Sequence, residues 1–161
     1  MHSKIFQITE TRVDRDNYLN EDTLEQGDGH YYDYCSEIDE EERKFHIANL
    51  IDKVLPKGMF DLVAKDTIRY NGGADKWKEE FVNALQDKAK AVTTENCTMW
   101  TGAVYQLEKF LKNPLDTAYQ FYMDEQGLTA EADQSYEFLR SVCNLEPGTM
   151  LYIGGVIDYH F

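Results

Sequence analysis

Between Asp16 and Glu42 the chain carries eleven carboxylates and not one Lys or Arg. Asp16, Glu21, Asp22, Glu25, Asp28, Asp33, Glu37, Asp39, Glu40, Glu41 and Glu42 supply the charge, with Tyr18, Tyr31, Tyr32 and Tyr34 set among them. From Thr11 to Tyr34 the run has no sustained apolar periodicity, and Gly27 and Gly29 mark turn points. Any fold this chain adopts must therefore accommodate a long connection, and long connections inside compact domains are usually functional or disordered. A ring left in water gains nothing and invites association. The mixture of rings and carboxylates thus has two readings: a surface that meets something basic, or a loop packed onto its own domain by its tyrosines.

The rest of the chain is periodic. Lys4 to Thr9 reads as a first strand, with Phe6 and Ile8 on one face. Ser36 followed by Asp39 resembles a helix N-cap, and Glu40 to Glu42 place negative charge on the first turn, where the helix dipole favours it. Ile47, Leu50, Ile51, Val54 and Leu55 continue that helix as an apolar stripe, which Pro56 and Gly58 end. Met59 to Val63 and Thr67 to Tyr70 read as two short strands around a turn at Ala64 to Asp66. Trp77, Phe81, Leu85, Ala89 and Val92 mark a second helix. Thr93 or Thr94 would cap a third, whose apolar face is Trp100, Val104, Leu107 and Leu111. Tyr119 to Met123 is a strand, and Thr129 would cap a fourth helix carrying Ala132, Tyr136, Leu139, Val142 and Cys143. The last strand, Thr149 to Phe161, places Leu151, Ile153, Ile157, Tyr159 and Phe161 on one face unless Gly154-Gly155 forms a bulge that exchanges the faces. Without the regular alternation of a doubly wound fold, this order predicts α+β: a mostly antiparallel sheet of about five strands packed against about four helices. Residues 1–161 are read as a single domain, with 11–35 a long acidic, tyrosine-containing loop region inside it.

Charge bounds the partners. The net charge is −14, unevenly spread: −8 over residues 1–45, +1 over 46–113 and −7 over 114–161. If the two ends meet in the fold, one face is strongly negative. Such a chain repels nucleic-acid and membrane phosphates and is steered towards basic proteins, so direct nucleic-acid or membrane binding is disfavoured. No segment reaches the roughly 18 apolar residues of a membrane span, and no signal-peptide run opens the chain. Three cysteines, Cys35, Cys97 and Cys143, lack framework spacing, which fits a reducing compartment, and the expected location is cytoplasmic.

Reaction chemistry is thinly represented. There is no CxxC, HExxH or His-x3–5-His pattern, no GxSxG elbow, no GxxxxGK[ST] and no GxGxxG, so no metal and no cofactor is implied. Asp158 and His160, two apart on a strand, share a face, and a carboxylate there could orient an imidazole for acid–base work. The plainer alternative is that both face solvent or pair with a neighbouring strand. In length, acidity and aromatic content the chain resembles the DNA-mimic inhibitors that phages and mobile elements direct against restriction and CRISPR nucleases. That resemblance is one of composition and rests on no motif.

The expectation drawn from these features is a non-enzymatic protein that binds a basic partner through an acidic face, in the manner of an inhibitor of a nucleic-acid-binding protein. Asp22, Glu25, Asp28, Asp33, Glu37, Glu40 and Glu41 would supply charge, and Tyr31, Tyr32 and Tyr34 would supply anchors. Two alternatives stand beside it: an assembly module forming a homo-oligomer, and a small enzyme built on Asp158 and His160.

Overall fold

The computed structural model describes all 161 residues. Its strands are β1 (His2–Thr9), β2 (Tyr34–Glu37), β3 (Phe60–Ala64), β4 (Thr67–Tyr70), β5 (Gln120–Tyr122) and β6 (Met150–His160). Its helices are α1 (Glu40–Asn49), α2 (Ala74–Lys90), α3 (Ala103–Lys112) and α4 (Ser135–Val142). The sheet runs β3-β4-β6-β1-β5, with β2 lying beside the far end of β6. Only the β1–β5 pair is parallel. The expected α+β architecture is the one observed.

The long β6 is central because both its edges are used. One edge pairs with β1 from Tyr152 to His160, while the other serves β4 at Met150–Tyr152 and β2 at Ile157–His160. Between those two partners the guanidinium of Arg43, a buried residue of α1, stands in for a strand. It donates to the carbonyl oxygens of Ile153 and Gly154 and pairs with Asp66.

Each face of the sheet has its own core. On the helical side, Ile47 and Leu50 of α1 and the turn that follows it, with Phe138, Leu139 and Val142 of α4, pack on Phe6, Ile8, Phe121, Leu151 and Ile153. On the other side no α-helix is present, only a single 3-10 turn, Arg15–Asn17. Leu19, Leu24 and Tyr32 of the acidic connection cover Ile5, Tyr122, Ile157 and Tyr159. Burying each of those apolar side chains contributes roughly 2 kcal/mol, which offsets part of the ~1–2 kcal/mol per residue needed to order the backbone.

Gly154 and Gly155 together stand opposite Gln7, since Phe6 pairs with Val156 and Ile8 with Ile153. That bulge does exchange the faces: Leu151, Ile153 and Val156 lie in the helix-side core, whereas Ile157 and Tyr159 lie under the acidic layer. Gln7 is fully buried and uses its whole hydrogen-bonding capacity. Its Oε1 accepts from the Leu19 and Gly155 amides, both at 2.9 Å, and its Nε2 donates to the Asn17 and Asp124 carbonyls, both at 3.0 Å. A side chain at 155 would collide with the Leu19 backbone, so the layer sits directly on that glycine.

Several local expectations are corrected. Ser36 is not a cap but part of β2, a strand hidden in the acidic run; Asp39 caps α1, accepting from the Glu42 amide at 2.8 Å. The α1 stripe continues through a π-helical turn, Leu50–Val54. Gly102, not Thr93 or Thr94, precedes α3, because Thr93 is engaged in a turn with Asn96. Gln134 precedes α4, because Thr129 closes a loop on the Asp124 carboxylate.

Replacing Gln7 with Leu should cost about 4 kcal/mol in urea unfolding, since it strands two amides and two carbonyls. Gly155→Ala should be similarly severe, and a loss below about 1 kcal/mol in both would contradict this packing.

Candidate functional site

The layer over the helix-free face is built from both acidic ends of the sequence. Residues 10–34 carry eight carboxylates against Arg12 and Arg15, and residues 123–134 carry four with no Lys or Arg, so the layer holds −10 of the chain's −14. Backbone and side-chain bonds join the two segments: Glu25 N–H to the Ala130 carbonyl at 3.2 Å, Thr11 N–H to Glu125 at 3.2 Å, and Gln7 to both. The condition left open by the charge distribution is met: segments from both acidic parts of the sequence lie together. Sequence reading missed the second segment's Glu125, Glu131 and Asp133. The −7 over the C-terminal third was the only signal for them.

The predicted site residues fall into distinct settings. Asp22, Glu25, Asp28, Tyr31, Asp33, Tyr34, Glu37, Glu40 and Glu41 are exposed. Glu40 is paired with Lys65 at 2.9 Å, Glu25 with His30 at 3.3 Å and Asp33 with His160 at 2.7 Å, whereas Asp22, Asp28, Glu37 and Glu41 have no cationic partner. Glu37 and Glu40 border a cleft of about 400 Å³ that Tyr18, Asn20, Arg15 and Arg43 also line, which places the start of α1 beside the layer.

Tyr32 is a correction, because it is buried and cannot serve as a surface anchor. Its hydroxyl donates to Gln120 Oε1 at 2.7 Å and accepts from the Ala132 amide at 3.2 Å, and its ring meets Tyr159 edge-on. Burial raises its pKa, so the phenol stays neutral. One tyrosine thus fastens the loop, as the packing alternative required. Tyr31 and Tyr34 remain half in water: Tyr31 stacks on Phe161 with centroids 5.7 Å apart, and Tyr34 stacks on His160 at 5.5 Å with its hydroxyl 3.0 Å from His2 Nε2.

Asp158 and His160 do not form a pair. Residues two apart on a strand stand nearly 7 Å apart, so each takes a cross-strand partner instead. Asp158 accepts from Lys4 at 2.7 Å and lies 2.8 Å from His2 Nδ1, while His160 Nδ1 meets Asp33 at 2.7 Å. Burial pushes the Asp158 carboxyl up, but the bonds and charges of Lys4 and His2 outweigh it and hold it below its usual value. It is an ion-paired acceptor, not a general base poised near neutrality. No group of three or more His, Cys, Asp or Glu side chains converges as a metal site. The three cysteines are free, and burial pushes the Cys35 thiol up to about 11, away from nucleophilic use. No helix is long and apolar enough to cross a membrane.

No described protein family, curated protein or solved structure matches the chain.

Tyr32→Phe should destabilise the protein by about 1–3 kcal/mol, because it strands the Ala132 amide and the Gln120 oxygen. Tyr34→Ala, at an exposed position, should cost within about 0.5 kcal/mol. Equal costs in thermal unfolding would contradict the division between fastening and exposed tyrosines.

Proposed function

We propose that the protein is a non-enzymatic binder of a basic protein, and that the acidic layer is its recognition surface. What supports this reading is the convergence of residues 10–34 and 123–134 on one helix-free face with only two arginines between them. A solubility coat would not need twelve carboxylates fastened to one face by a buried carboxamide. Charge fixed on an ordered surface steers a basic partner and fixes its register. The natural partner class is a nucleic-acid-binding protein, whose Lys/Arg array is built to meet closely spaced negative charge. Occupying that array in place of nucleic acid would inhibit it.

Affinity capture from an extract of the source cells on the immobilised protein tests this directly. The expected product is a basic protein that elutes early on a salt ramp, is displaced by duplex DNA, and is lost on the Asp28→Lys, Asp33→Lys double variant. A captured protein that duplex DNA does not displace, or whose binding ignores the double variant, would contradict the reading.

A homo-oligomer has its own supporting observation. The α2–α3 hairpin buries no residue fully, and residues 74–112 are neutral by count, with six Lys against six Asp and Glu. Of the predicted apolar face of α3, Leu107 is half-buried but the rest is exposed: Trp100 by 94%, Val104 by 42% and Leu111 by 39%. Two highly acidic copies could approach through this hairpin without charge repulsion. Light scattering should then give twice 18.7 kDa at high protein concentration, unchanged by salt and abolished by Trp100→Glu. A dimer that Trp100→Glu leaves intact would place the contact elsewhere.

A further inference from the structure

The acidic layer holds no permanent counter-charge in contact with its carboxylates. None of the twelve forms an ion pair with Lys or Arg; every such pair in the molecule involves a carboxylate outside residues 10–34 and 123–134. The layer's only two ion pairs are with histidines. His30 Nδ1 lies 3.3 Å from Glu25, and His160 Nδ1 lies 2.7 Å from Asp33. Both carboxylates are more than half exposed, so each is open to a partner as well as to its imidazole. No other carboxylate reaches His30. His160, on β6, also faces the Tyr34 ring of β2, with centroids 5.5 Å apart, and the His2 ring of β1, at 5.1 Å. His2 in turn lies 2.8 Å from Asp158, which accepts from Lys4 at 2.7 Å, and Lys4 also meets Glu42 at 3.0 Å.

We propose that His30 and His160 gate the acidic layer by pH, leaving it open to a basic partner near pH 8 and closing it towards pH 5.5, an inference that rests on the acidic-layer reading and adds its regulation. Histidine is the side chain that changes charge between about pH 5 and 8. A neutral imidazole with its proton on Nδ1 donates to the carboxylate and leaves the negative charge in place. A second proton, on Nε2, turns each contact into a pair of no net charge, and Glu25 and Asp33 are then held by a cation of the protein's own. The layer together with His160 falls from −10 to −8, and the chain with all four histidines charged falls from −14 to −10. Both the steering of a basic partner and its direct pairing with these two residues weaken together. Among the layer's carboxylates, burial and then Glu137 raise the pKa of Asp133. Substitution, not pH dependence alone, therefore assigns the gate to the histidines.

Fluorescence anisotropy with an N-terminally labelled nona-lysine peptide, whose charge is constant between about pH 5.5 and 8, tests the gate at about 50 mM salt. The expected result is about fivefold weaker binding at the lower pH. In the His30→Gln, His160→Gln double variant the affinity at about pH 8 should be unchanged, and the loss at about pH 5.5 should shrink to less than about twofold. Equal affinity of the unaltered protein at the two pH values, or a fivefold loss that survives the double variant, overturns the gate but leaves the acidic layer standing. A loss that persists in the double variant and disappears in Asp133→Asn would assign the titration to that carboxylate and equally overturn the proposal. If the peptide binds at neither pH, both readings fall. Thermal unfolding at both pH values, with the midpoint unmoved by substitution, separates loss of the gate from loss of the fold. Each single variant, expected to keep about a twofold loss, carries the same comparison if the double variant unfolds.

Discussion

The Gln7 carboxamide is completely buried, and each of its two N–H bonds and two oxygen lone pairs meets a different stretch of backbone. Two of those stretches, at Asn17 and Leu19, belong to the N-terminal acidic connection. A third, at Asp124, follows β5, and the fourth is the glycine bulge of β6. An unpaired group at this depth costs far more than an ordinary hydrogen bond contributes. The four partners therefore stay together or come apart together. The bulge and the carboxamide depend on one another: Gly154 and Gly155 leave room for Gln7 and for Leu19, and Gln7 satisfies the amide that the bulge sets free.

That arrangement fixes where the charge lies. Helices cover one face of the sheet and take its larger apolar core, and the other face is closed by loop backbone whose few apolar residues, Leu19, Leu24 and Tyr32, point inward. Carboxylates interspersed among those inward residues are left outward by default. Most Lys and Arg lie outside the layer, and many already hold carboxylates of their own, as in Arg69 with Asp61 and Lys112 with Glu108. The layer's charge is therefore largely uncompensated, and its potential extends over roughly a Debye length, about 8 Å at physiological salt. The same layer borders an aromatic groove at Tyr31.

Much of this was legible in the residues. Apolar periodicity located β1, α1, both strands of the β3–β4 hairpin, α2, α4 and β6, and the uneven charge showed what would follow if the ends met, without showing that they do. What escaped has physical reasons. β2 is four residues of mixed polarity whose only qualification is a free edge of β6. Tyr32 and Tyr31 are adjacent and chemically identical, yet one is core and the other surface, a difference made by alternation about a backbone path that sequence does not reveal. Thr129 has cap chemistry but is claimed by the Asp124 carboxylate, a tertiary contact. Trp100 lies at helical spacing from Val104, but the turn before α3 carries it out of the stripe and into water. The partners of Asp158 and His160 lie across the sheet, and sequence spacing carries no information about them.

Amide hydrogen exchange across residues 10–34 tests most directly whether the acidic connection is a fixed surface and not a mobile tail. Leu19, Gly27, Asp33 and Cys35 donate to Gln7, Tyr32, His160 and Gln26 respectively. Their amides should exchange at least about a hundredfold more slowly than an unstructured chain, in step with the Gly155 amide of the sheet. Exchange of those four at unprotected rates, with Gly155 still slow, would contradict the account.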